Sequence, residues 1–271
     1  MYIQNLHTHS TFCDGKHTPE EMVQFALQKG FSSLGFSSHS CSRRPDREKS
    51  IWLVKNVGYR AEILRLKEAY RDRLDIFLGL EVDLGVDIDL TPYDYIIGAV
   101  HTLDKNGEYF EVDSTLKITE DAIARHFGGS SLEYAKAYFS RVAEIPQIGK
   151  VDILAHFDLL TKFQEQKRIF DEDDPRYLRV AVETIDALKG KIPFFEVNTG
   201  AIGRGYRTTP YPSIPLLRAF RERGFGAIVT TDCHNGEFLD CHYRESVELL
   251  REAGFKERFV LTKDGFTSIS L

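Results

Sequence analysis

Short apolar runs alternate along the chain with longer stretches in which apolar positions recur every three or four residues, and the two periods mark strands and helices. The first run ends near Leu6. Thr18-Pro19-Glu20-Glu21 has the form of a capping box with proline at the first helical position, and Met22, Phe25 and Ala26 continue an amphipathic helix that Lys29-Gly30 stops. A buried strand is expected over 31–38. A helix over about 47–73 follows, with Ile63, Leu66, Ala69 and Tyr70 on one stripe and a break or bend at Gly58. Strands are expected over 75–82 and 93–100. Residues 101–129 read as an irregular charged connection in which Asn106-Gly107 signals a small hairpin, and a connection of that length is usually a functional loop or lid. Strands over 151–155, 193–197 and 225–231 then alternate with helices over 132–145, 175–189, 214–223 and 245–253, and a short last strand falls at 258–262.

This alternation, uninterrupted by a linker, repeat or low-complexity segment, predicts a single barrel-like α/β domain of parallel strands spanning 1–271. A closed barrel is preferred to an open sheet because of what the strands deliver. His7 and His9, His39, Glu81, His101, His156, Glu196 with Asn198, and Asp232 with His234 each fall at the C-terminal end of an expected strand. In a barrel those ends converge on one face, whereas an open sheet spreads them apart.

Composition narrows the function. A chain of 271 residues with 42% hydrophobic content can bury a full core, and its net charge of −6, with no long run of like charge, disfavours nucleic acid while leaving a small anionic substrate open. With no apolar span long enough to cross a bilayer and no leader-like segment, the expectation is a soluble cytoplasmic protein that engages no membrane. The cysteines form no Cys-x-x-Cys pair, so Cys13, Cys41 and Cys233 read as reduced packing thiols near the strand-end residues.

Alternate residues of an extended backbone share a face, so His7-x-His9 has a chelating geometry, although one such pair also occurs by chance on a solvated strand end. The rest of the chain decides between these readings. Six of the nine histidines fall at strand ends and are joined by Asp14, Glu81 and Asp232. Imidazole and carboxylate without thiolate suit zinc, manganese or iron, and so many donors exceed what one tetrahedral ion needs. Two or three ions sharing bridging carboxylates account for them.

The pattern resembles the PHP superfamily, named for polymerase and histidinol phosphatase domains, through His7-x-His9 with Asp14, then His39, Glu81, His101, His156 and Asp232-x-His234 in order. The resemblance implies a distorted (β/α)7 barrel, TIM-like, with a trinuclear site at the C-terminal ends of its strands. It assigns His7, His9, Glu81 and Asp232 to one ion, His101 and His156 with shared Glu81 to a second, and Asp14, His39 and His234 to a third. Ser38 departs from the aspartate of many relatives. The segments 101–113 and 155–158, the loop 196–205 and Tyr211-Pro212-Ser213 resemble the histidinol-phosphate phosphatases within the superfamily.

The implied chemistry is metal-dependent hydrolysis of L-histidinol phosphate. Clustered ions bind phosphoryl oxygens and lower the pKa of a bridging water, and the resulting hydroxide attacks phosphorus in line, with Asp232 or a neighbouring histidine managing the proton. Arg204, between two glycines, is expected to grip the phosphate, with Lys162 a second phosphate contact. His17 and His126 are expected against the imidazole or amine end of the substrate, with Asp113 pairing the amine. Arg43, Arg44 and Arg47 read as a solvated rim, and His242 as a helix surface residue. Rival readings are hydrolysis of another small phosphomonoester or a nucleotide, an amidohydrolase, a non-catalytic PHP scaffold and a polymerase-associated exonuclease. Glu81 and the closing Asp232-x-His234 count against the amidohydrolase, the full donor set against a scaffold, and the acidic balance against the exonuclease.

Overall fold

The computed structural model describes residues 2–40 and 51–271. The order of elements is β1 (Gln4–Asn5), α1 (Pro19–Gln28), β2 (Ser33–His39), α2 (Ile51–Ala69), β3 (Asp75–Asp83), β4 (Tyr95–Ala99), β5 (Thr102–Lys105), β6 (Glu108–Glu111), α3 (Leu116–His126) and α4 (Ser131–Val142). The chain continues through β7 (Ile153–Leu154), α5 (Pro175–Leu188), β8 (Phe194–Asn198), α6 (Gly200–Gly203), α7 (Ile214–Glu222), β9 (Gly226–Thr230), α8 (Tyr243–Glu252), β10 (Glu257–Thr262) and β11 (Gly265–Ser270). Cys41, Arg43, Arg44, Arg47 and the helix start expected near residue 47 lie outside the described residues.

Seven parallel strands pair in the order β1-β2-β3-β4-β7-β8-β9. Just past β1 and β9, the His9 amide donates to the Cys233 carbonyl (2.9 Å) and the Cys233 amide to the His7 carbonyl (3.0 Å). These bonds draw the two edges together into a nearly closed, TIM-like barrel, so the residues after β1 and β9 meet at the seam. The interior is filled by Leu6, Phe77, Tyr95, Ile97, Ala99, Ile153, Ala155, Ile228 and Leu261, largely from alternate strand positions that point inward. Leu34, Phe36, Leu78 and Leu80 belong to the larger outer cluster with Met22, Ile63 and Leu66 of the helices.

Tyr95 shows how tightly the interior is filled. Its hydroxyl donates to the Leu6 and Phe36 carbonyls, the latter at 3.0 Å. The ring fits only because its neighbours lack side chains: a Cβ on Gly79 would lie 2.2 Å from the Tyr95 ring. Gly79→Ala is therefore expected to overpack the barrel and cost roughly 1–3 kcal/mol or more, read as a lower denaturation midpoint with an unchanged denaturant slope.

The α1 capping box forms as expected, with the Thr18 side chain accepting from the Glu21 amide and Glu21 accepting from the Thr18 amide, a cap worth about 1 kcal/mol. Gly58 does not interrupt α2, whose buried stripe is Tyr59, Ile63, Leu66 and Tyr70, while Ala69 is exposed. The 101–129 connection contains the expected hairpin, β5–β6, but its second half is the helix α3, capped by Thr115. Its apolar face is short (Ala122 and Ile123 beside Thr119), and the surrounding charges hide the period. The last expected strand is half of a second hairpin, β10–β11. Gln4 exchanges two 2.7 Å hydrogen bonds with the Leu261 backbone, which ties this hairpin beside β1 at the end of the barrel remote from the histidines. Among the described residues no helix is long and apolar enough to cross a membrane.

Candidate metal centre

The strand ends bring His7, His9, Asp14, His39, Glu81, His101, His156, Asp232 and His234 to one face, around Glu81. β2 and β3 place His39 directly beside Glu81 in register. Glu81 Oε2 lies 3.2 Å from His7 Nε2, 3.5 Å from His9 Nε2 and 2.9 Å from His39 Nδ1. Its other oxygen, Oε1, lies 3.1 Å from His156 Nε2 and 3.3 Å from His101 Nε2, which are 3.2 Å from each other. Asp232 Oδ1 lies 3.6 Å from His7 Nε2 and 3.2 Å from His9 Nε2. A further group gathers on Asp14 Oδ1, with His234 Nε2 at 3.3 Å, His39 Nε2 at 3.6 Å and His9 Nδ1 at 3.8 Å.

These donors fit metal ions better than they fit one another. Ligand bonds of about 2.0–2.2 Å in a tetrahedral arrangement set neighbouring donor atoms roughly 3.3 Å apart, close to most of the separations above. His7 Nε2, His9 Nε2 and Glu81 Oε2 are buried at ion-pair distance, yet none of the three has a hydrogen-bond partner. Metal-compatible clusters form from His7, His9 and Asp232, from His39, Glu81 and His101, and from His9, Asp14, His39 and His234. The His101–His156–Glu81 triangle adds a fourth convergence.

Without an ion the cluster holds protons instead. Burial lowers the His101 pKa, but Glu81 and then Asp83 raise it further, leaving it at about 10. For His7, burial again lowers and Glu196, Glu81 and Asp232 together outweigh it, so the imidazole titrates well above the ordinary histidine range. Burial raises and the surrounding histidines lower Glu81, which stays a carboxylate. Burial lowers His234, and the His9 ring stacked on it at 4.1 Å lowers it further. A metal ligand must shed its proton, so loading competes with protonation.

The sign for stability follows from the raised folded values. The metal-free form gains stability from His101 below its unfolded value near 6.5, and loses that gain as pH rises toward about 10. Metal affinity is accordingly expected to rise over the same window. Titration calorimetry near pH 7 in buffers of different ionisation heat should detect proton release on metal binding, and no release would contradict this charge assignment.

Asp232 reaches the site from a strained backbone. Its φ of 44° is left-handed, a conformation that costs a non-glycine residue about 1–3 kcal/mol and gathers at functional sites. Gly200 makes room beside it, since a Cβ there would lie 2.7 Å from Asp232 Oδ2 and 2.9 Å from an Arg204 nitrogen. The Arg204 fork, expected on the substrate, is turned toward two of the donors: Nη2 donates to Asp232 Oδ2 at 2.9 Å, and Nη1 lies 2.9 Å from His234 Nδ1. Burial raises the Asp232 pKa, but Arg204 and then His7 outweigh it and hold the carboxyl well below its ordinary range.

The other expected substrate contacts separate into two sets. Lys162 Nζ donates to the Asp113 carbonyl (2.6 Å) and Asp113 Oδ2 (3.1 Å), so these two residues meet each other. Burial raises the Asp113 pKa while Lys162, then His101, lower it, which puts this pair within electrostatic reach of the histidines. His17 Nε2 instead contacts Asn235 Oδ1 at 3.0 Å, joining the loop after β1 to the loop after β9. His126 stacks on Phe110 at 5.3 Å and lies 3.5 Å from Glu108, on the β5–β6 hairpin. Helix α3, absent from the sequence reading, carries it there.

Several residues that lie against the donors had no role at the metal site assigned from the sequence. Asp83 shares a strand face with Glu81 and accepts from the His101 amide at 3.0 Å, an alternation visible in β3. Cys13, buried as expected, sits 3.3 Å from His9 Nδ1. Burial raises the Cys13 thiol while His9 lowers it, leaving it well below the ordinary thiol value. Glu196 lies behind His7, with Oε2 2.9 Å from His7 Nδ1.

A nearly closed parallel barrel with histidines and carboxylates gathered at the C-terminal strand ends defines a protein with a site suited to divalent metal binding. The chain belongs to the PHP domain family, whose model matches residues 5–200. It is 29% identical over 261 residues to a probable histidinol-phosphatase of Deinococcus radiodurans, covering 92% of each chain. It is 26% identical over 270 residues to a histidinol-phosphatase of Lactococcus lactis, covering 93% of this chain and 91% of the relative. The fold also matches a crystal structure of histidinol phosphate phosphatase from Lactococcus lactis complexed with zinc, L-histidinol and phosphate, with a TM-score of 0.70 and 22% identity over 97% of this chain and 98% of that one.

Proposed function

We propose that the protein is a metal-dependent phosphoric monoester hydrolase that converts L-histidinol phosphate to L-histidinol and phosphate, built as one barrel domain over 1–271. The observation that carries the reading is the set of donor groups around Glu81, whose separations of 3.1–3.3 Å in the His101–His156 group suit shared ions. The names of the Deinococcus and Lactococcus relatives support the substrate. Two or three ions of zinc, iron or manganese are the proposed cofactors, held by His7, His9, Asp14, His39, Glu81, His101, His156, Asp232 and His234. When bound, they supply Lewis-acid charge for the phosphoryl oxygens and lower the pKa of water.

The chain's own residues then have distinct tasks. Glu81 joins the donor groups and balances their charge. Asp232 offers Oδ1 to the site while Arg204 holds Oδ2, and as the water oxygen bonds phosphorus and the phosphorus–oxygen bond to the alcohol breaks, Asp232 would relay the water's proton to the leaving alkoxide, which departs as L-histidinol with the carboxylate restored. Arg204 acts chiefly by fixing Asp232, and Lys162 and Asp113 line the substrate side, with the Asp113 carboxylate available to the substrate ammonium. The acidic balance favours a small-molecule partner over nucleic acid.

The test is phosphate release from metal-loaded enzyme over a panel of histidinol phosphate, nucleotides and a sugar phosphate. Histidinol phosphate is expected to show the highest kcat/KM. Preference for a nucleotide would overturn the substrate and keep the reaction class.

A further inference from the structure

We infer that Glu196 is a positioning residue that presets ligands of two donor groups at once, an inference that rests on the metal-dependent reading above. Glu196 is fully buried. Oε1 accepts from the His156 amide (2.6 Å) and Asn198 Nδ2 (2.7 Å). Oε2 accepts from Thr230 Oγ1 (2.8 Å) and faces His7 Nδ1 at 2.9 Å. A carboxylate has about four lone-pair sites, and these four donors fill them, so Glu196 is not itself a ligand.

The division of labour between its oxygens is specific. Through Oε2 it is placed to accept from the Nδ1–H of His7, so that the neutral ring presents Nε2 as its bare nitrogen, turned toward Glu81 Oε2 and Asp232 Oδ1. Through Oε1 it fixes the backbone of His156, whose Nε2 meets Glu81 Oε1 and His101. A carboxylate behind a ligating histidine fixes its tautomer and orientation, and removal of such a partner typically lowers metal affinity about 10–100-fold. One side chain on β8 thus sets ligands arriving from β1 and β7. The third group gathers instead on Asp14 Oδ1, which His39 Nε2 and His234 Nε2 face.

Metal-free protein titrated with zinc against a chromophoric chelator tests this. Glu196→Gln keeps the shape but puts an amide donor where an acceptor is needed, and is expected to weaken two binding events by about 10–100-fold with the third unchanged. Thr230→Val removes only the hydroxyl on Oε2 and is expected to weaken a single event, by about tenfold or less. Imidazole nitrogen NMR of the metal-free protein at high pH should show His7 protonated at Nδ1 in the wild type and a tautomer mixture in Glu196→Gln, a change that mere loss of packing would not produce. Zinc affinities within twofold of wild type at every site in folded Glu196→Gln would overturn the inference. If that variant does not fold, an unchanged Thr230→Val would overturn it. Wild-type protein that binds zinc but hydrolyses no phosphomonoester would overturn the proposed function and leave the role of Glu196 standing.

Discussion

Glu81→Gln is expected to purify with at least one ion fewer per chain than the wild type and to release phosphate about 1000-fold more slowly or worse. The size follows from what this carboxylate faces. His7, His9 and His39 lie within 3.5 Å of Oε2, and His101 and His156 within 3.3 Å of Oε1. An amide of the same shape supplies one neutral oxygen and turns an N–H toward the remaining imidazoles, so one donor group loses its anion and the other gains an opposed dipole. A loss of about 4 kcal/mol of charge stabilisation in the transition state corresponds to about three powers of ten in rate. Metal analysis beside single-turnover phosphate release checks both halves of the expectation. Full metal content with near wild-type turnover would remove Glu81 from the centre of the site.

Asp232→Asn is expected to keep the fold and lower kcat by about 100- to 10,000-fold, the range associated with loss of a positioned acid–base group. Its left-handed backbone and the Arg204 contact confine the side chain, and asparagine tolerates that backbone well, so misfolding is not the expected result. The variant loses the anion that faces His7 and His9, and its amide group competes for the Arg204 fork. A weaker metal affinity, confined to the ion shared by His7 and His9, should accompany the fall in kcat. Unchanged metal content together with unchanged turnover would show that Asp232 manages neither.

The barrel and its strand-end donors were legible because both are periodic. Each strand announces itself by an apolar run, and the residue at its end carries the chemistry, so His39, Glu81, His101 and His156 could be placed by counting. The seam was legible only in outline. β1 is a mere Gln4–Asn5, and His7 and His9 take their place from hydrogen bonds to Cys233 that no local pattern announces. Helix α3 escaped because its charges outnumber its buried positions, and with it the true setting of His126 on Phe110. Arg204 looked like a free fork between glycines. The close approach to Asp232 that Gly200 permits is a tertiary fact, invisible in sequence. Glu196 was visible at a strand end, but its role depends on four donors, from His7, His156, Asn198 and Thr230, that meet only in the folded barrel.

The most direct test of the central claim joins metal content to turnover in one preparation. Protein stripped with a chelator and then reloaded with zinc, manganese or iron should recover two or three ions per chain and, in step with them, phosphate release from histidinol phosphate. Undiminished turnover in protein shown to be metal-free, or reloaded protein that releases phosphate from no phosphomonoester, would contradict the account.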